Sequence, residues 1–475
     1  MRSLLAILLL LSRALYGQST QTAQHIERIE TGLIPPIRVT NQPPLRMDLR
    51  EEMRIHHVPA VSIAVIHQGQ IEWAKAYGFV SQGGAAATTE TLFQAASISK
   101  SLTTMAALHL VALRKLSLDS PINAELKAWK LPSGKATHEN PVTLRELLSH
   151  TAGVNVHGFG GYAAGDPVPT LAQVRDGVKP ANSPAIVVDQ VPGQMFRYSG
   201  GGFVVAQQAM IDATGTPFPE LLRKTIFNPL GMLHSTFEQP LPSSLRANAA
   251  QPVDEKGNPI PGGWHTYPEM AAAGLWTTPT DLAKWLIEMQ RSLSGHANHV
   301  LSAAMTRTML TPVKGGYGLG VEVSSSNDII RFSHGGANAG YRAHYFADSE
   351  GHGVVIMTSS DGGGVLIGEL LRGIDAEYGW NVYPQTDRSA AVIPFEQQRS
   401  YIGSFKSKDG FQFTVSAEND HLTIQFSDGT SGPFLPSDSR SFFAVVSTLQ
   451  VHFTSPDAGE LIFAPDDRVE FARIQ

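Results

Sequence analysis

The sequence predicts an α+β protein in which an antiparallel sheet flanked by helices is followed by a small, separate β domain. Three patterns lead to this prediction: a hairpin over residues 61–79, a mainly helical middle region, and alternating apolar and polar residues that return at 318–357 and again after 401. Short turns join most of the later strands, which favours antiparallel pairing. The early hairpin and the strands of 318–357 are therefore expected to build one sheet, with a helical domain inserted between them.

The elements of the larger domain follow from spacing, caps and turns. Val61–His67 and Ile71–Phe79 are apolar runs separated by a Gly-containing turn, and Thr143 with Glu146 makes a capping box. Residues 154–168 are Gly-rich and are expected to form an active-site wall. The predicted helices are 45–56, 97–118, 143–148, 203–213, 280–292 and 365–378. The predicted later strands are 318–323, 329–333, 341–346 and 353–357.

The last part of the chain is predicted to be a small antiparallel barrel or sandwich, because short strands alternate with turn residues from Tyr401 onward. The predicted strands are 411–416, 422–426, 442–446, 449–453, 461–463 and 469–474. The expected organisation is a lead-in segment at 18–44, the larger domain at 45–380, a Pro-containing linker at 381–394 and the β domain at 395–475.

The N terminus has the pattern of a secretory signal peptide over residues 1–17. Arg2 gives a basic start, Leu4–Leu11 is apolar, and Ala14 and Gly17 are small residues suited to cleavage. The apolar run is too short to span a bilayer, and the alternative is a buried N-terminal helix. The mature protein is therefore expected in the periplasm or outside the cell, without a stable membrane anchor. An exported chain without cysteine favours a bacterial source.

Composition excludes several classes of function. The 475 residues include no cysteine, so the chain has no disulfide, thiolate metal site or cysteine nucleophile. The formal net charge is −6 and no dense Lys/Arg block is present, which disfavours a nucleic-acid partner. The 17 histidines are scattered without ligand spacing, so neither a metal nor an organic cofactor is expected. The sequence leaves the oligomeric state open.

The segment Ser97-Ile98-Ser99-Lys100 stands at the start of a predicted helix. A serine there has its Oγ near free backbone N–H groups, and a lysine three residues later lies one turn on, on the same face. A buried ammonium beside the hydroxyl lowers the cost of forming an alkoxide, or the lysine acts as the base. The alternative is that Ser97 only caps the helix, since about one such spacing is expected by chance in a chain of this composition.

Two further segments carry candidate residues. Tyr198 stands on a Gly-rich turn that leads into a helix, from which its phenol can project toward a cleft. The segment His334-Gly335-Gly336-Ala337 follows a predicted strand, where the glycines allow close approach to the backbone and the N–H of Ala337 can point into a site. Taken singly, Tyr198 can be an ordinary packing residue and residues 334–337 an ordinary strand-end turn.

Together and in this order, the three segments resemble the motifs of the penicillin-recognising serine hydrolases, which include class C β-lactamases, D-Ala-D-Ala carboxypeptidases, D-aminopeptidases and related esterases. Those motifs are Ser-x-x-Lys, Tyr-x-Asn, and Lys-Thr-Gly or His-x-Gly. Segments at Leu147–Gly153, Pro192-Gly193, Gly274–Leu282 and Tyr317–Gly320 are also similar to family segments. The resemblance covers most of residues 45–380. It implies a β-lactamase/transpeptidase-like fold, and the C-terminal β-barrel resembles a lipocalin-like extension.

The resemblance also implies a role for each candidate residue. Ser97 is the expected nucleophile, Lys100 its activating partner, and Tyr198 the group that takes up a proton as general base and returns it as acid. The N–H groups of Ser97 and Ala337 form the expected oxyanion hole. The residues expected to bind substrate are His334, Gly335, Gly336 and Gly200.

Two departures from the family pattern shape the expected function. Gly200 stands where the family usually has Asn, whose amide holds the lysine and the substrate's acylamino group. His334 stands where lysine is more frequent, and it lacks the permanent charge that grips a β-lactam carboxylate. The main hypothesis is a serine hydrolase that forms an acyl-enzyme with a peptide, amide or ester. The alternatives are a true β-lactamase or D,D-carboxypeptidase, and a catalytically weak binding or regulatory protein on the same fold.

Four other residues are singled out by these segments. His150 is expected to be a structural, hydrogen-bonding histidine, and His157 is a candidate for the substrate wall. Trp276 and Tyr317 either line the pocket or pack in the core.

Overall fold

The central sheet of the protein is made from two segments that are far apart in the chain. The computed structural model describes residues 20–296, 299–418, 421–426, 431–464 and 467–474, and the predicted signal peptide at 1–17 lies outside the described residues. The chain divides into two compact units, one of residues 56–367 and the other of the residues before 56 with those from 368 onward. Of the helices in the described part of the chain, none combines the length and the apolar character that a bilayer span requires.

The strands are β1 (Ile37–Val39), β2 (Ala60–His67), β3 (Gln70–Gly78), β4 (Phe93–Gln94), β5 (Trp276–Thr277), β6 (Glu322–Ser326), β7 (Ile329–Asn338), β8 (Tyr341–Asp348), β9 (Gly353–Thr358), β10 (Thr386–Arg388), β11 (Gly403–Ser407), β12 (Gln412–Glu418), β13 (His421–Phe426), β14 (Ser431–Pro436), β15 (Ser441–Ala444), β16 (Gln450–Ser455), β17 (Ala458–Ala464) and β18 (Asp467–Arg473).

The α-helices are α1 (residues 20–30), α2 (Leu49–Ile55), α3 (Ser99–Ala112), α4 (Ile122–Glu125), α5 (Leu144–Leu148), α6 (Leu171–Asp176), α7 (Gly200–Thr214), α8 (Phe218–Leu222), α9 (Asn228–Leu230), α10 (Met270–Ala273), α11 (Pro279–Leu293), α12 (Ala303–Met309), α13 (Gly363–Tyr378) and α14 (Phe395–Gln398). Short 3₁₀ turns cover Ala96–Ile98, Lys135–Thr137, Ser243–Asn248 and Arg399–Tyr401, and a π-helical turn covers Arg223–Phe227.

The predicted sheet from both ends of the domain is confirmed. Six antiparallel strands lie in the order β3-β2-β9-β8-β7-β6, and β2 joins the early hairpin to the late strands by pairing with β9, with Val61 opposite Thr358. All residues of β2 before His67 are buried, which explains why this strand has a nearly continuous apolar sequence. The helical region between β3 and β6 is likewise present, so the fold is α+β as expected.

The segment His334–Ala337 lies inside β7, which corrects the expectation that it follows a strand. Pairing between β7 and β8 continues to Asn338 opposite Tyr341, across the two-residue turn Ala339-Gly340. A second correction concerns the strand predicted at 318–323, which begins only at Glu322. Gly320 has a φ of +68°, a left-handed conformation that interrupts an extended strand.

Helix α3 is the buried centre of the helical region. It carries buried residues on every side, from Ser99 to Leu110, so it lacks the polar face of a surface helix. A 3₁₀ turn at Ala96–Ile98 precedes it, and the helix ends before Arg114, whose φ is +58°. The helix predicted to run to Leu118 is therefore shorter, because the chain adopts a left-handed conformation that sequence spacing does not reveal.

The C-terminal β domain is a closed eight-stranded antiparallel barrel, β11 to β18. Large side chains fill its interior, namely Tyr401, Phe405, Phe413, Phe434, Phe442, Phe453 and Phe471. Two of its strands, β11 and β14, are absent from the sequence prediction. In β14 the reason is Pro433 and Pro436, since proline lowers the expectation of a strand.

Two short strands pair outside the barrel and the central sheet. In the segments expected as lead-in and linker, β1 and β10 run parallel, with Ile37 opposite Thr386. Ile37 and Val39 are buried in a small apolar cluster with Phe443 of barrel strand β15 and Val445 just after it, so the lead-in segment packs on the barrel.

Candidate active site

A cleft of about 560 Å³ opens at the start of α3, within the unit formed by residues 56–367. Its lining brings together all the residues proposed from the sequence for chemistry or substrate binding, namely Ser97, Lys100, Tyr198, Gly200, His334, Gly335, Gly336 and Ala337. Lining residues that the site prediction did not include are Gly158, Phe159, Ala272, Ala273, Glu322, Asn338, Arg342, Ala343, His344, Gly364 and Ile367.

Lys100 points at the hydroxyl of Ser97. Its Nζ donates to Ser97 Oγ at 2.9 Å and to the carbonyl oxygen of Ala272 at 2.8 Å. Lys100 is 2% exposed, so both bonds lie in a region that excludes most water. The carbonyl of Ala272, at the end of α10, therefore fixes the direction of the lysine. A backbone group of this kind leaves no signal in a sequence.

Ser97 sits on a strained turn. The preceding residue, Ala96, is buried and has a φ of +49°, which a residue with a side chain rarely adopts. Such strain persists only where the surrounding structure holds it, and it is frequent at functional sites. The turn ends β4 and starts α3, so it exposes Ser97 to the cleft.

Gly336 lets β7 lie directly against this turn. A Cβ on Gly336 would collide with the carbonyl oxygen of Ala95 and lie 3.3 Å from Cβ of Ala96. Only glycine leaves that space free. The close approach puts the next residue, Ala337, at the cleft together with Ser97.

The N–H of Ala337 faces the open edge of β7. β6 pairs with β7 only up to Glu322 opposite Ser333, so the following residues of β7 have no partner strand on that side. The pair Asn338·Tyr341 flanks a two-residue turn and is hydrogen-bonded in such hairpins. In the next pair, Ala337·Arg342, the backbone groups of β7 therefore point away from β8. This is the direction that an oxyanion-hole donor needs.

Tyr198 lies between Lys100 and two histidines. The centre of its ring is 4.9 Å from Lys100 Nζ, 4.2 Å from the ring of His150 and 5.0 Å from that of His157. Nδ1 of His150 accepts the N–H of Ser199 at 3.0 Å. Burial, together with the charge of Lys100, keeps the pKa of His150 well below its ordinary value, so its ring is neutral. His150 thus holds the Tyr198 segment in place by a backbone bond and a ring contact.

His334 is neutral and has both ring nitrogens engaged. Nδ1 lies 2.6 Å from the carbonyl oxygen of Gly335, and Nε2 lies 3.0 Å from the hydroxyl of Tyr317. A carbonyl only accepts, so Nδ1 carries the proton and Nε2 accepts from Tyr317. Burial and the nearby charge of Lys100 lower the pKa of His334 to about 3. The buried Tyr317 therefore supports the site from behind His334.

The Gly-rich segment forms one wall of the cleft. His157, Gly158 and Phe159 line it, and the carbonyl of His157 accepts the N–H of Gly200 at 2.9 Å. Gly200 is the first residue of α7, and Ser199 caps that helix by accepting the N–H of Gly202. His157 is the substrate-wall candidate of the sequence analysis, and it lines the cleft, whereas Phe159 is not among the predicted residues.

An acidic turn with a histidine and one buried glutamate lie outside the cleft lining. In the turn between β8 and β9, the carboxylate of Asp348 already accepts the N–H groups of Glu350 and His352 and contacts the His352 ring at 2.9 Å. Glu269, at the start of α10, is fully buried, and in the described structure neither carboxylate oxygen has a hydrogen-bond partner. Burial raises the pKa of Glu269 to about 7.

Comparison with known proteins finds a matching family model and several proteins of similar sequence. A sequence model described as Beta-lactamase matches residues 45–390. Penicillin-binding protein 4 of Amycolatopsis lactamdurans is 26% identical over 324 residues, 65% of this chain and 82% of that protein. The D-alanyl-D-alanine-carboxypeptidase/endopeptidase AmpH of Escherichia coli (strain K12) is 24% identical over 286 residues, 58% of this chain and 66% of that protein.

A solved structure shows the same fold. The octameric penicillin-binding protein homologue from Pyrococcus abyssi has a TM-score of 0.58 at 22% sequence identity, covering 89% of this chain and 98% of that one. At this level of identity the similarity concerns the fold alone.

Proposed function

The chain belongs to the beta-lactamase family, a family of serine hydrolases, and we propose that it hydrolyses a peptide, amide or ester through an acyl-enzyme on Ser97. The observation that carries the proposal is the bond from the buried Nζ of Lys100 to Oγ of Ser97. Tyr198 and the open edge of β7 at Ala337 line the same cleft. Acyl transfer needs a nucleophile, a proton carrier and oxyanion donors around one point, and the cleft offers candidates for each.

The proposed reaction has two halves. Ser97 Oγ attacks the substrate carbonyl while its proton passes to Tyr198, and the N–H groups of Ser97 and Ala337 hold the oxyanion that forms. The bond to the leaving group then breaks, and Tyr198 returns the proton to that group. Water then attacks the acyl carbonyl while its proton passes to Tyr198. The bond to Ser97 Oγ breaks, and Tyr198 returns the proton to Oγ, which regenerates Ser97. Lys100, fixed by the Ala272 carbonyl, stabilises negative charge on Oγ and on the Tyr198 phenol.

The charges around the cleft favour a substrate without a carboxylate at the His334 side. His334 is neutral there, and Glu322, an exposed residue of the lining, adds negative charge. Arg342 also lines the cleft, but its guanidinium is paired with Asp361 at 2.8 Å. A neutral ester, an amide or a peptide with its charge elsewhere therefore fits this wall better than a β-lactam or a D-Ala-D-Ala terminus.

A β-lactamase or D,D-carboxypeptidase activity is the second candidate. It is favoured by the relatives, since one is named a penicillin-binding protein and another a D-alanyl-D-alanine-carboxypeptidase.

We also propose export of the chain, on the signal-peptide pattern of residues 1–17. Cell fractionation of the full chain in a bacterial host, with sequencing of the mature N terminus, tests export.

A substrate panel tests the proposed activity. Nitrophenyl esters, D-amino-acid amides and nitrocefin are each incubated with the protein, and intact-mass spectrometry followed by peptide mapping records any adduct. We expect turnover and an acyl adduct on Ser97, and loss of both in Ser97→Ala. Ser99→Ala is the matched control, because Oγ of Ser99 accepts the N–H of Leu275 instead of facing the cleft. An adduct on another residue, or no reaction with any member of the panel, would contradict the proposal.

A further inference from the structure

The wall of the cleft beside Tyr198 is built by residues 154–162, named the glycine-rich loop below. Its backbone lies on the first turn of α7. The N–H of Gly200 bonds to the carbonyl of His157 at 2.9 Å, and the N–H of Gly201 bonds to that of Val156 at 3.1 Å. A Cβ on Gly201 would lie 3.1 Å from the carbonyl oxygen of Asn155, so glycine at this position permits the close contact.

The backbone N–H groups at the start of α7 are all hydrogen-bonded within the protein. The first two N–H groups of the helix bond to the loop, and the third, of Gly202, bonds to Oγ of Ser199 at 3.1 Å. Ser199 Oγ in turn donates to the carbonyl of Asn155 at 2.6 Å. The helix N-terminus therefore offers a substrate no free backbone donor in its first turn, although such positions commonly bind polar groups.

Phe159 covers the space above Gly200. A Cβ on Gly200 would lie 3.0 Å from Cε2 and 3.4 Å from Cδ2 of the Phe159 ring. The ring is only partly buried and lines the cleft. Beside His157 and Gly158, this wall thus presents the exposed part of an aromatic ring to a substrate.

Hydrogen bonds also hold the C-terminal end of the glycine-rich loop. Tyr162 and Thr266 exchange backbone hydrogen bonds at 2.9 and 2.8 Å, and the side-chain amide of Asn182 donates to the carbonyl of Gly161 at 2.9 Å. The carbonyl of Gly160 lies 2.8 Å from Nδ1 of His265. Phe159 is therefore carried on a segment whose backbone is held at both ends.

We propose that Phe159 is a specificity-determining residue that forms an apolar subsite for a hydrocarbon group next to the scissile carbonyl. The inference rests on the proposed function, because it concerns the substrate of the same cleft. An apolar group gains by removing the exposed ring from water, whereas an amide gains nothing from the first turn of α7, whose N–H groups are already bonded. The hydrocarbon belongs either to the acyl group or to the leaving group, and the experiment distinguishes these two sources.

The experiment measures kcat/KM for two ester series. In the first, the acyl group of a nitrophenyl ester is lengthened from acetate through butyrate to octanoate. In the second, the acyl group is acetate and the alcohol changes from methanol to benzyl alcohol. The variants are Phe159→Ala, Phe159→Leu and the control Phe79→Ala, since Phe79 is 55% exposed and is absent from the cleft lining.

We expect Phe159→Ala to lower kcat/KM for the most apolar ester of one series about tenfold, with less than a twofold change for its smallest member. Phe159→Leu should give an intermediate loss, and Phe79→Ala should match the wild type. The series that responds identifies the acyl or the leaving group as the occupant.

Three results would overturn the inference. If Ser97 is acylated but neither series responds to Phe159→Ala, the subsite is wrong while the proposed function stands. A gain for long esters in Phe159→Ala would show that the ring excludes such groups. If neither the esters nor a fluorophosphonate probe reacts at Ser97 in the wild type, the proposed function fails and the subsite fails with it.

Discussion

The hydroxyl of Tyr317 donates a hydrogen bond to Nε2 of His334 at 3.0 Å, and the carbonyl of Gly335 holds the opposite nitrogen of the same ring. The two bonds fix the tautomer and the plane of the imidazole. The ring is neutral because burial and the nearby charge of Lys100 lower the pKa of His334 to about 3. The candidate substrate-binding histidine therefore acts as an oriented, uncharged group.

Replacing Tyr317 by Phe should leave Nε2 of His334 buried without a donor. We expect kcat/KM to fall about tenfold and the free energy of unfolding to drop by roughly 1–3 kcal/mol. Kinetics and thermal unfolding measure both. Tyr401→Phe is the control, because it likewise removes a hydrogen-bonding hydroxyl, one that donates to the carbonyl of Ser439 in the barrel. It should lower stability and leave kcat/KM unchanged; equal activity of both variants would mean that Tyr317 has no part in the site.

Replacing His334 by Lys should change substrate preference. A permanent cation at this wall attracts a carboxylate, so the ratio of nitrocefin to neutral-ester turnover should rise about tenfold. His334→Gln, which has no charge, should leave the ratio unchanged. If lysine and glutamine variants show the same ratio, the missing charge is not what disfavours β-lactams.

Replacing Gly200 by Asn should raise β-lactam turnover relative to ester turnover only when Phe159 is replaced by Ala in the same variant. Gly200 is helical, without a left-handed φ, so its own backbone conformation admits a side chain. A Cβ there would lie 3.0 Å from the Phe159 ring and 3.3 Å from the carbonyl oxygen of His157, and the ring is the tighter of the two contacts. Gly200→Asn should therefore lower all activities, whereas Gly200→Asn with Phe159→Ala should raise nitrocefin over ester turnover by roughly 2- to 10-fold. Gly200→Ala with Phe159→Ala controls for the Cβ. A double variant that behaves like this control would remove the argument that an amide at position 200 matters.

Replacing Glu269 by Gln should stabilise the protein at alkaline pH. The pKa of Glu269 is raised by burial to about 7, so between pH 4.5 and 7 the folded state keeps a proton that the unfolded state has released. Its contribution to stability is complete below pH 4.5 and is lost as the pH rises through 7. We expect Glu269→Gln to match the wild type near pH 5 and to exceed it by about 2 kcal/mol at pH 8.

Chemical denaturation at the two pH values measures this difference. Glu288→Gln is the control, because Glu288 is also buried but its carboxylate accepts the N–H groups of His299 and Val300. It should destabilise at both pH values. A Glu269→Gln variant that is no more stable than the wild type at pH 8 would show that the charged carboxylate finds a partner.

Local geometry explains which parts of the site were predictable from the sequence. Ser97 and Lys100 meet because residues three apart lie on one helical face, and this holds in any helix. The meeting of His334 with Ser97 was expected only from the family resemblance, since it depends on β7 crossing the serine turn where Gly336 leaves room. The Ala272 carbonyl and the Phe159 ring reach the cleft through contacts between distant segments, for which the sequence has no period or motif.

The same distinction applies to the fold. The alternating pattern predicts β2, β3 and the late strands, because burial on a sheet follows a two-residue period. It does not predict β14, which pairs with β13 and β15 although it contains Pro433 and Pro436, nor the left-handed residue that follows α3. These features depend on packing between distant segments, which overrides the local preference of the sequence.

In the central sheet, β2 pairs with β3 on one side and with β9 on the other. During synthesis the β2–β3 hairpin leaves the ribosome long before residues 353–358 exist, and all the helices from α3 to α12 are made in between. Until β9 arrives, the apolar strand β2 has one unpaired edge, which is the kind of surface that nascent chains aggregate through. Closure of this sheet is thus a late, non-local folding step, and β2 is the segment whose edge stays open until it happens.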